Sequence, residues 1–195
     1  MEENQIYHIY NRGNNSGKIF FEERNYSFFL QRFRYYMEKC VTVYSYCLMP
    51  NHFHFLIKVN QIDDNIKVIK FPKSRLSLVE KSLKDFFISY SKSINKAYNR
   101  TGSLFQTKFK RKPILDDSYL MNIVAYLHLN PVRAGIVKSA ENWNYSSFKS
   151  YLYDTDDIVI SNKNEVIEWF RGKKNFMEFH EIYRNFQKDR DYLFD

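Results

Sequence analysis

From His52 to Val59 the chain reads His-Phe-His-Phe-Leu-Ile-Lys-Val, and this alternation constrains the fold more than any other stretch. On a β-strand successive side chains point to opposite faces, so Phe53, Phe55, Ile57 and Val59 fall on one side and His52 and His54 on the other. The apolar side calls for burial, and two imidazoles are left projecting together from the opposite side. Neutral ring nitrogens so placed can hold a divalent metal while leaving other coordination positions open to water or substrate. Taken alone, a His-x-His pair reads equally well as two half-exposed strand histidines.

The flanking sequence supplies a fold for this strand. Residues 5–12, Gln5 to Arg12, are aromatic and β-branched and run into the turn-forming Gly13-Asn14-Asn15-Ser16-Gly17. His8 is read as a packed or hydrogen-bonded strand residue rather than a ligand. Between about Glu22 and Lys39, Tyr26, Phe29, Leu30, Phe33, Tyr36 and Met37 recur at helical spacing. Val41 to Leu48 reads as a second strand, and Met49-Pro50-Asn51 as a short connection, so the histidines open the returning strand of a hairpin. A looser polar stretch, Asn60 to Lys73, precedes a second helix with Val79, Leu83, Phe86, Phe87, Tyr90, Ile94 and Ala97 on its apolar side, broken by Gly102.

Leu104 to Lys112 alternates apolar with polar or cationic residues, which predicts a strand with one wet, strongly positive face carrying Lys108, Lys110, Arg111 and Lys112. Asp116 or Asp117 can cap a third helix that buries Tyr119, Leu120, Ile123, Val124 and Leu127. It is expected to end near Asn130, because Pro131 disfavours helical geometry in the residue before it. Strand, helix, strand, strand, helix, strand is the order of an α+β, ferredoxin-like or RRM-like sandwich, an antiparallel sheet with two helices on one face. The third helix then lies near the other face, with the histidines. Beyond residue 150 the pattern weakens to two helices that can begin at Asn162 and Asn175, each with Glu three residues later. Residues 151–195 are therefore expected to form a helical extension packed on a domain of residues 1–150.

Charge narrows the partner. There are 30 Lys plus Arg against 22 Asp plus Glu, a net charge of +8, together with 16 Tyr and 18 Phe. Cations interleaved with aromatic faces suit unpaired bases and phosphates better than a membrane. The start, Met1-Glu2-Glu3-Asn4-Gln5, does not resemble a secretory signal, and no apolar run reaches the length of a membrane span. Cys40 and Cys47 form no C-x-x-C pair, so both are expected reduced in a cytoplasm.

The third helix adds what the His pair lacks. Tyr126 and Asn130 lie four residues apart and share a helix face, while His128 projects away. Two imidazoles and one amide oxygen could then hold Mg²⁺ or Mn²⁺, with Tyr126 as nucleophile; Tyr119 and Tyr98 are the nearest alternatives by position. Such a site suits transesterification at a DNA phosphodiester, leaving a covalent phosphotyrosine.

Cys47-Leu48-Met49-Pro50-Asn51-His52-Phe53-His54-Phe55-Leu56, then Gly102-Ser103-Leu104-Phe105-Gln106, Tyr126-Leu127-His128-Leu129-Asn130-Pro131-Val132-Arg133-Ala134-Gly135 and Trp143-Asn144-Tyr145-Ser146-Ser147 occur in that order. Together they resemble the single-tyrosine HUH (IS200-like) transposases, and within them the REP-associated tyrosine transposases of bacteria, over roughly residues 5–150. The resemblance implies a ferredoxin-like catalytic domain that cleaves and rejoins single-stranded or hairpin DNA with Mg²⁺ or Mn²⁺. It carries the metal-ligand role onto His52 and His54, the nucleophile role onto Tyr126 and the third-ligand role onto Asn130. Arg12, Lys108, Lys110, Arg111, Lys112 and Arg133 become candidate DNA contacts. Phe105 stands where the family often has Trp, and Lys108 where it often has Arg. Monomer and homodimer both stay open, because relatives place the tyrosine helix either within one chain or across a dimer. Two other readings compete: a noncatalytic nucleic-acid-binding module on an RRM-like sheet, and a metal-dependent hydrolase of small phosphoesters.

Overall fold

Four strands, Ile6–Arg12 (β1), Val41–Met49 (β2), His52–Val59 (β3) and Lys110–Ile114 (β4), form one antiparallel sheet in the order β2-β3-β1-β4. The computed structural model describes residues 1–61, 77–116, 118–160 and 162–186. Helices Glu23–Met37 (α1) and Leu78–Ala97 (α2) are the two crossovers, which with this strand order gives the ferredoxin-like sandwich expected from the sequence. Helices Ser118–Arg133 (α3), Phe148–Tyr153 (α4), Lys163–Trp169 (α5) and Lys173–Phe186 (α6) follow, so helices lie on both sides of the sheet.

The alternation in β3 decides what lies where. Phe53 and Phe55 are buried against α1 and α2, with Phe33 stacked on Phe55 at 4.2 Å between centroids and Phe29 meeting Phe53 at 5.2 Å and Phe86 at 4.9 Å. Fully burying a phenylalanine stabilises by about 1.5–3 kcal/mol, so this aromatic layer fixes the sheet's orientation and the register with it. α2 starts on a reciprocal cap: the Ser77 hydroxyl accepts from the Glu80 N–H at 3.3 Å and the Glu80 carboxylate from the Ser77 N–H at 2.9 Å.

Three expectations are corrected. The fourth strand is shorter and later than Leu104–Lys112: residues 104–109 are irregular, held by a single bridge from Phe105 to Gly13, and pairing with β1 starts only at Lys110. β4 is an edge strand, where Pro113 is tolerated because its missing N–H spoils no central ladder. α3 does not end near Asn130 but runs through Pro131 to Arg133, with the chain turning at Gly135, whose φ of +68° suits glycine. A proline's bias on the residue before it is a preference that packing can outweigh, and here Leu127, Leu129 and Pro131 itself are buried. The last helix begins at Lys173 rather than Asn175, whose amide nitrogen instead donates to the Arg171 carbonyl at 3.3 Å. Residues 62–73 of the looser polar stretch and the alternative cap Asp117 lie outside the described residues. Among those described, no helix is long and apolar enough to cross a membrane.

Candidate active site

Pairing register assembles the site. Tyr10 of β1 lies opposite both His54 of β3 and Lys110 of β4, Arg12 lies opposite His52, and His8 lies opposite Lys112. Residues directly opposite share a face, so one side of the sheet carries His8, Tyr10, Arg12, His52, His54, Lys110 and Lys112. A cleft of about 250 Å³ opens there, lined by Tyr10, Asn11, Arg12, His52, His54, Gln106, Lys110 and Asn130. None of these is acidic, and two are fixed cations, so the cleft favours an anion.

The two histidines are held differently. His52 Nδ1 lies 2.6 Å from the Asn51 side-chain oxygen; an amide oxygen only accepts, so Nδ1 carries the proton and Nε2 the lone pair. His54 Nδ1 lies 2.9 Å from His8 Nε2, while His54 Nε2 is buried with no hydrogen-bond partner. Burial, then the neighbouring His8, His52, Arg12 and Lys112, hold His54 well below the usual histidine range. Burial, then Lys112, lowers His8 to about 3. Both rings are therefore neutral at physiological pH, the form that binds metal. An orphaned buried nitrogen is costly unless it meets a ligand, and an ion at His54 Nε2 would satisfy it. Among the described residues no three His, Cys, Asp or Glu side chains cluster tightly enough to hold a metal. The neutral nitrogen and amide donors lining the cleft are His52 and His54 with the side chains of Asn11, Gln106 and Asn130, and the resemblance singles out Asn130 among the amides.

α3 brings its residues down on this face. Tyr126 packs edge-on to His54 at 5.7 Å and to His8 at 6.3 Å between centroids, and the Arg133 guanidinium lies 5.1 Å from the Tyr126 ring centre. These contacts are within one chain. Tyr126 is 2% exposed and does not line the cleft, whereas Tyr10 does. The Tyr98 hydroxyl donates to Asn25 at 3.0 Å, toward α1, and Tyr119 sits in the first turn of α3, so neither joins the histidines.

The six sequence-predicted cations divide. Arg12 and Lys110 line the cleft, and Lys110 and Lys112 lie 5.5 and 5.8 Å over the Tyr10 ring. Arg111, one residue out of phase, turns to the other side of β4 and pairs with Glu80 of α2. Lys108 lies before the strand and lines a separate groove. The single positive face expected for residues 108–112 is therefore not formed. Sequence reasoning also passes over Tyr10, Asn11 and Gln106; the His8-x-Tyr10-x-Arg12 alternation in β1 carries the signal for Tyr10.

His128 points away from the cleft into a buried polar chain. Its Nε2 lies 2.8 Å from the Ser147 hydroxyl and 3.1 Å from that of Ser45, and its Nδ1 lies 2.9 Å from His180 Nε2. His180 Nδ1 donates to the Phe176 carbonyl at 2.7 Å. α6 is thereby tied to the helix that carries Tyr126.

The ferredoxin-like fold that carries this site has a solved counterpart. The structure of a REP-associated tyrosine transposase bound to a REP hairpin superposes with a TM-score of 0.59 at 13% identity, over 83% of this chain and 87% of that one. In sequence, a Haemophilus influenzae protein whose name assigns it to the REP-associated tyrosine transposases is 30% identical over 116 residues, 56% of this chain. The match takes in 62% of that relative, so the chain spans less than two thirds of its length. No protein-family model matches. The chain is thus related in sequence to a REP-associated tyrosine transposase and shares the fold of another.

Proposed function

We propose that the protein nicks and rejoins single-stranded DNA at hairpin structures through a covalent phosphotyrosine on Tyr126. The observation that carries this reading is the orphaned His54 Nε2 in an acid-free cleft with His52, Asn130, Arg12 and Lys110, directly beside the Tyr126 ring. His52, His54 and Asn130 would hold Mg²⁺ or Mn²⁺, which supplies Lewis-acid polarisation of a non-bridging phosphate oxygen. Arg12 and Lys110 bind the phosphodiester and counter the charge that builds as phosphorus becomes five-coordinate.

The Tyr126 oxygen attacks phosphorus, one P–O ester bond breaks, and the departing sugar oxygen takes up a proton to leave a free hydroxyl. The bond energy stays in the phosphotyrosine, so rejoining needs no nucleotide cofactor. An unperturbed phenol, with a pKa of about 10, is a weak nucleophile at neutral pH, so a metal ion or neighbouring cation has to favour the phenolate; the Arg133 guanidinium lies 5.1 Å from the ring centre. Because Tyr126 is sheathed, the end of α3 has to shift when DNA binds. Pro131, just over one turn beyond Tyr126, suits this: it has no N–H to offer the Leu127 carbonyl. Sequence kinship and fold support hairpin DNA as the partner, since the solved neighbour is bound to a REP hairpin.

The test is denaturing electrophoresis of protein with labelled hairpin DNA in Mg²⁺ or Mn²⁺, comparing wild type with His52→Ala, His54→Ala and Asn130→Ala at equal DNA occupancy. A slow-migrating covalent species that chelator abolishes and the His variants lose supports the reading. The burial of Tyr126 favours one rival, a noncatalytic DNA-binding module; tight hairpin binding with no covalent species in either metal would select it.

A further inference from the structure

A second concavity adjoins the cleft. Between α2 and residues 102–109 runs a groove of about 920 Å³, and Asn11 and Gln106 line both it and the histidine cleft, joined by a 3.3 Å hydrogen bond from the Asn11 amide to the Gln106 carbonyl. The cleft, at about 250 Å³, lies below the roughly 300–1,000 Å³ of ordinary ligand pockets, whereas the groove falls within that range. A polynucleotide seated in the cleft has to continue somewhere, and the groove begins where the cleft ends.

The lining fits unpaired nucleotides. Phe87 and Phe109, both half-buried, lie 5.8 Å apart, with buried Phe105 beneath Phe87 at 5.2 Å. Lys84, Ile88 and Lys92 follow one another at four-residue steps along α2, all exposed, so the helix presents one apolar contact between two cations. Lys108 stands exposed on the opposite bank. Among the described residues none of these three lysines is paired with a carboxylate, and Glu80, the one acidic lining residue, is already held by Arg111 and the N-terminal amine. Asn95, also on the lining, donates to the Gly102 carbonyl at 2.9 Å and so ties α2 to the opposite bank. Aromatic faces with unpaired cations about them are how single strands are held without sequence readout.

We infer that this groove binds the single-stranded DNA continuing out of the histidine cleft, bases against Phe87 and Phe109 and phosphates on Lys84, Lys92 and Lys108. The inference rests on the proposed DNA chemistry for its direction of threading, but its test does not need cleavage. An oligothymidylate of roughly twelve nucleotides carrying one 5-iodouracil is bound to the full chain in EDTA, irradiated, and the crosslinked peptide identified. Affinity is measured in parallel for wild type and Lys84→Ala/Lys92→Ala across a salt series.

Crosslinks at Phe87 or Phe109, with a log K against log salt slope shallower by about 1.4 in the double variant, are the expected result. Crosslinks elsewhere, an unchanged slope, or no binding of the oligonucleotide overturn the groove, and a groove built for a peptide would give one of these. If the groove results hold while hairpin DNA forms no phosphotyrosine, the groove stands and the proposed catalysis falls. If the adduct forms while the groove results fail, the reverse is true.

Discussion

His8 Nε2 and His54 Nδ1 lie 2.9 Å apart in the interior of the sheet's functional face, so the proton between them sets which His54 nitrogen keeps its lone pair. If His54 Nδ1–H donates and His8 Nε2 accepts, the orphaned His54 Nε2 is left as the metal-facing donor. On the proposed reading His8 is thus a positioning residue for the ligand His54. His8→Phe keeps a ring of similar size and removes the acceptor. Mn²⁺ bound by the hairpin complex of Tyr126→Phe protein, read by electron paramagnetic resonance, should weaken about 10- to 100-fold when His8→Phe is added. Hairpin affinity in EDTA should stay the same. Unchanged Mn²⁺ affinity would remove His8 from the site.

The cleft's cations can be separated from the rest of a basic surface. Arg12 and Lys110 line it, whereas Arg34 sits on α1 beside Glu38 on the other side of the sheet. Removing one cation that neutralises a phosphate should make the log K against log salt slope for single-stranded DNA shallower by about 0.7. Arg12→Ala and Lys110→Ala should each do so, and Arg34→Ala should leave the slope in place. Equal effects from all three would mean that only net charge matters.

How far this is legible in the sequence depends on what kind of pattern carries it. Alternation in His52–Val59 and helical spacing in α1 and α2 are enough for the sandwich, because burying Phe29, Phe33, Phe53, Phe55 and Phe86 allows few arrangements. The joint placement of His52, His54 and Asn130 on one cleft follows from those same periods plus one helix crossing the sheet. What escapes is set by tertiary pairing. Which of the 108–112 cations faces the cleft turns on β4 starting at Lys110, and a one-residue change in phase sends Arg111 to Glu80. His8 reads locally as a packed strand residue; that its partner is His54 depends on strand order. Tyr126 lies three residues after Ile123 and seven after Tyr119, within the helix's buried stripe, but that the stripe packs on the histidine face is set by tertiary structure.

Acid should loosen the tie between α3 and α6. Burial lowers His180 to about 4 from an ordinary value of 6.5, the acceptance of its N–H by the Phe176 carbonyl opposing this in part. Between those two values the unfolded chain binds a proton that the folded chain refuses, so stability rises with pH there. The His180 contribution is complete above about pH 6.5 and is lost as pH falls toward 4. Each unit of separation corresponds to about 1.4 kcal/mol. Urea midpoints followed from neutral pH downward should fall through this window, and His180→Leu should flatten the fall without abolishing it, since His8 titrates lower still, at about 3. A midpoint independent of pH in the wild type would contradict the buried neutral ring.

Tyr126 touches His54 but is sheathed, while Tyr10 lines the cleft beside the same histidine. Identifying which phenol becomes esterified therefore tests the account most directly. Hairpin DNA is incubated with the protein in Mg²⁺ or Mn²⁺, the DNA is trimmed with nuclease, and the tyrosine bearing the residual nucleotide is located by peptide mass spectrometry. The account predicts that the nucleotide is on Tyr126 and that Tyr126→Phe yields none. A nucleotide on Tyr10, or an adduct that survives Tyr126→Phe, would contradict it.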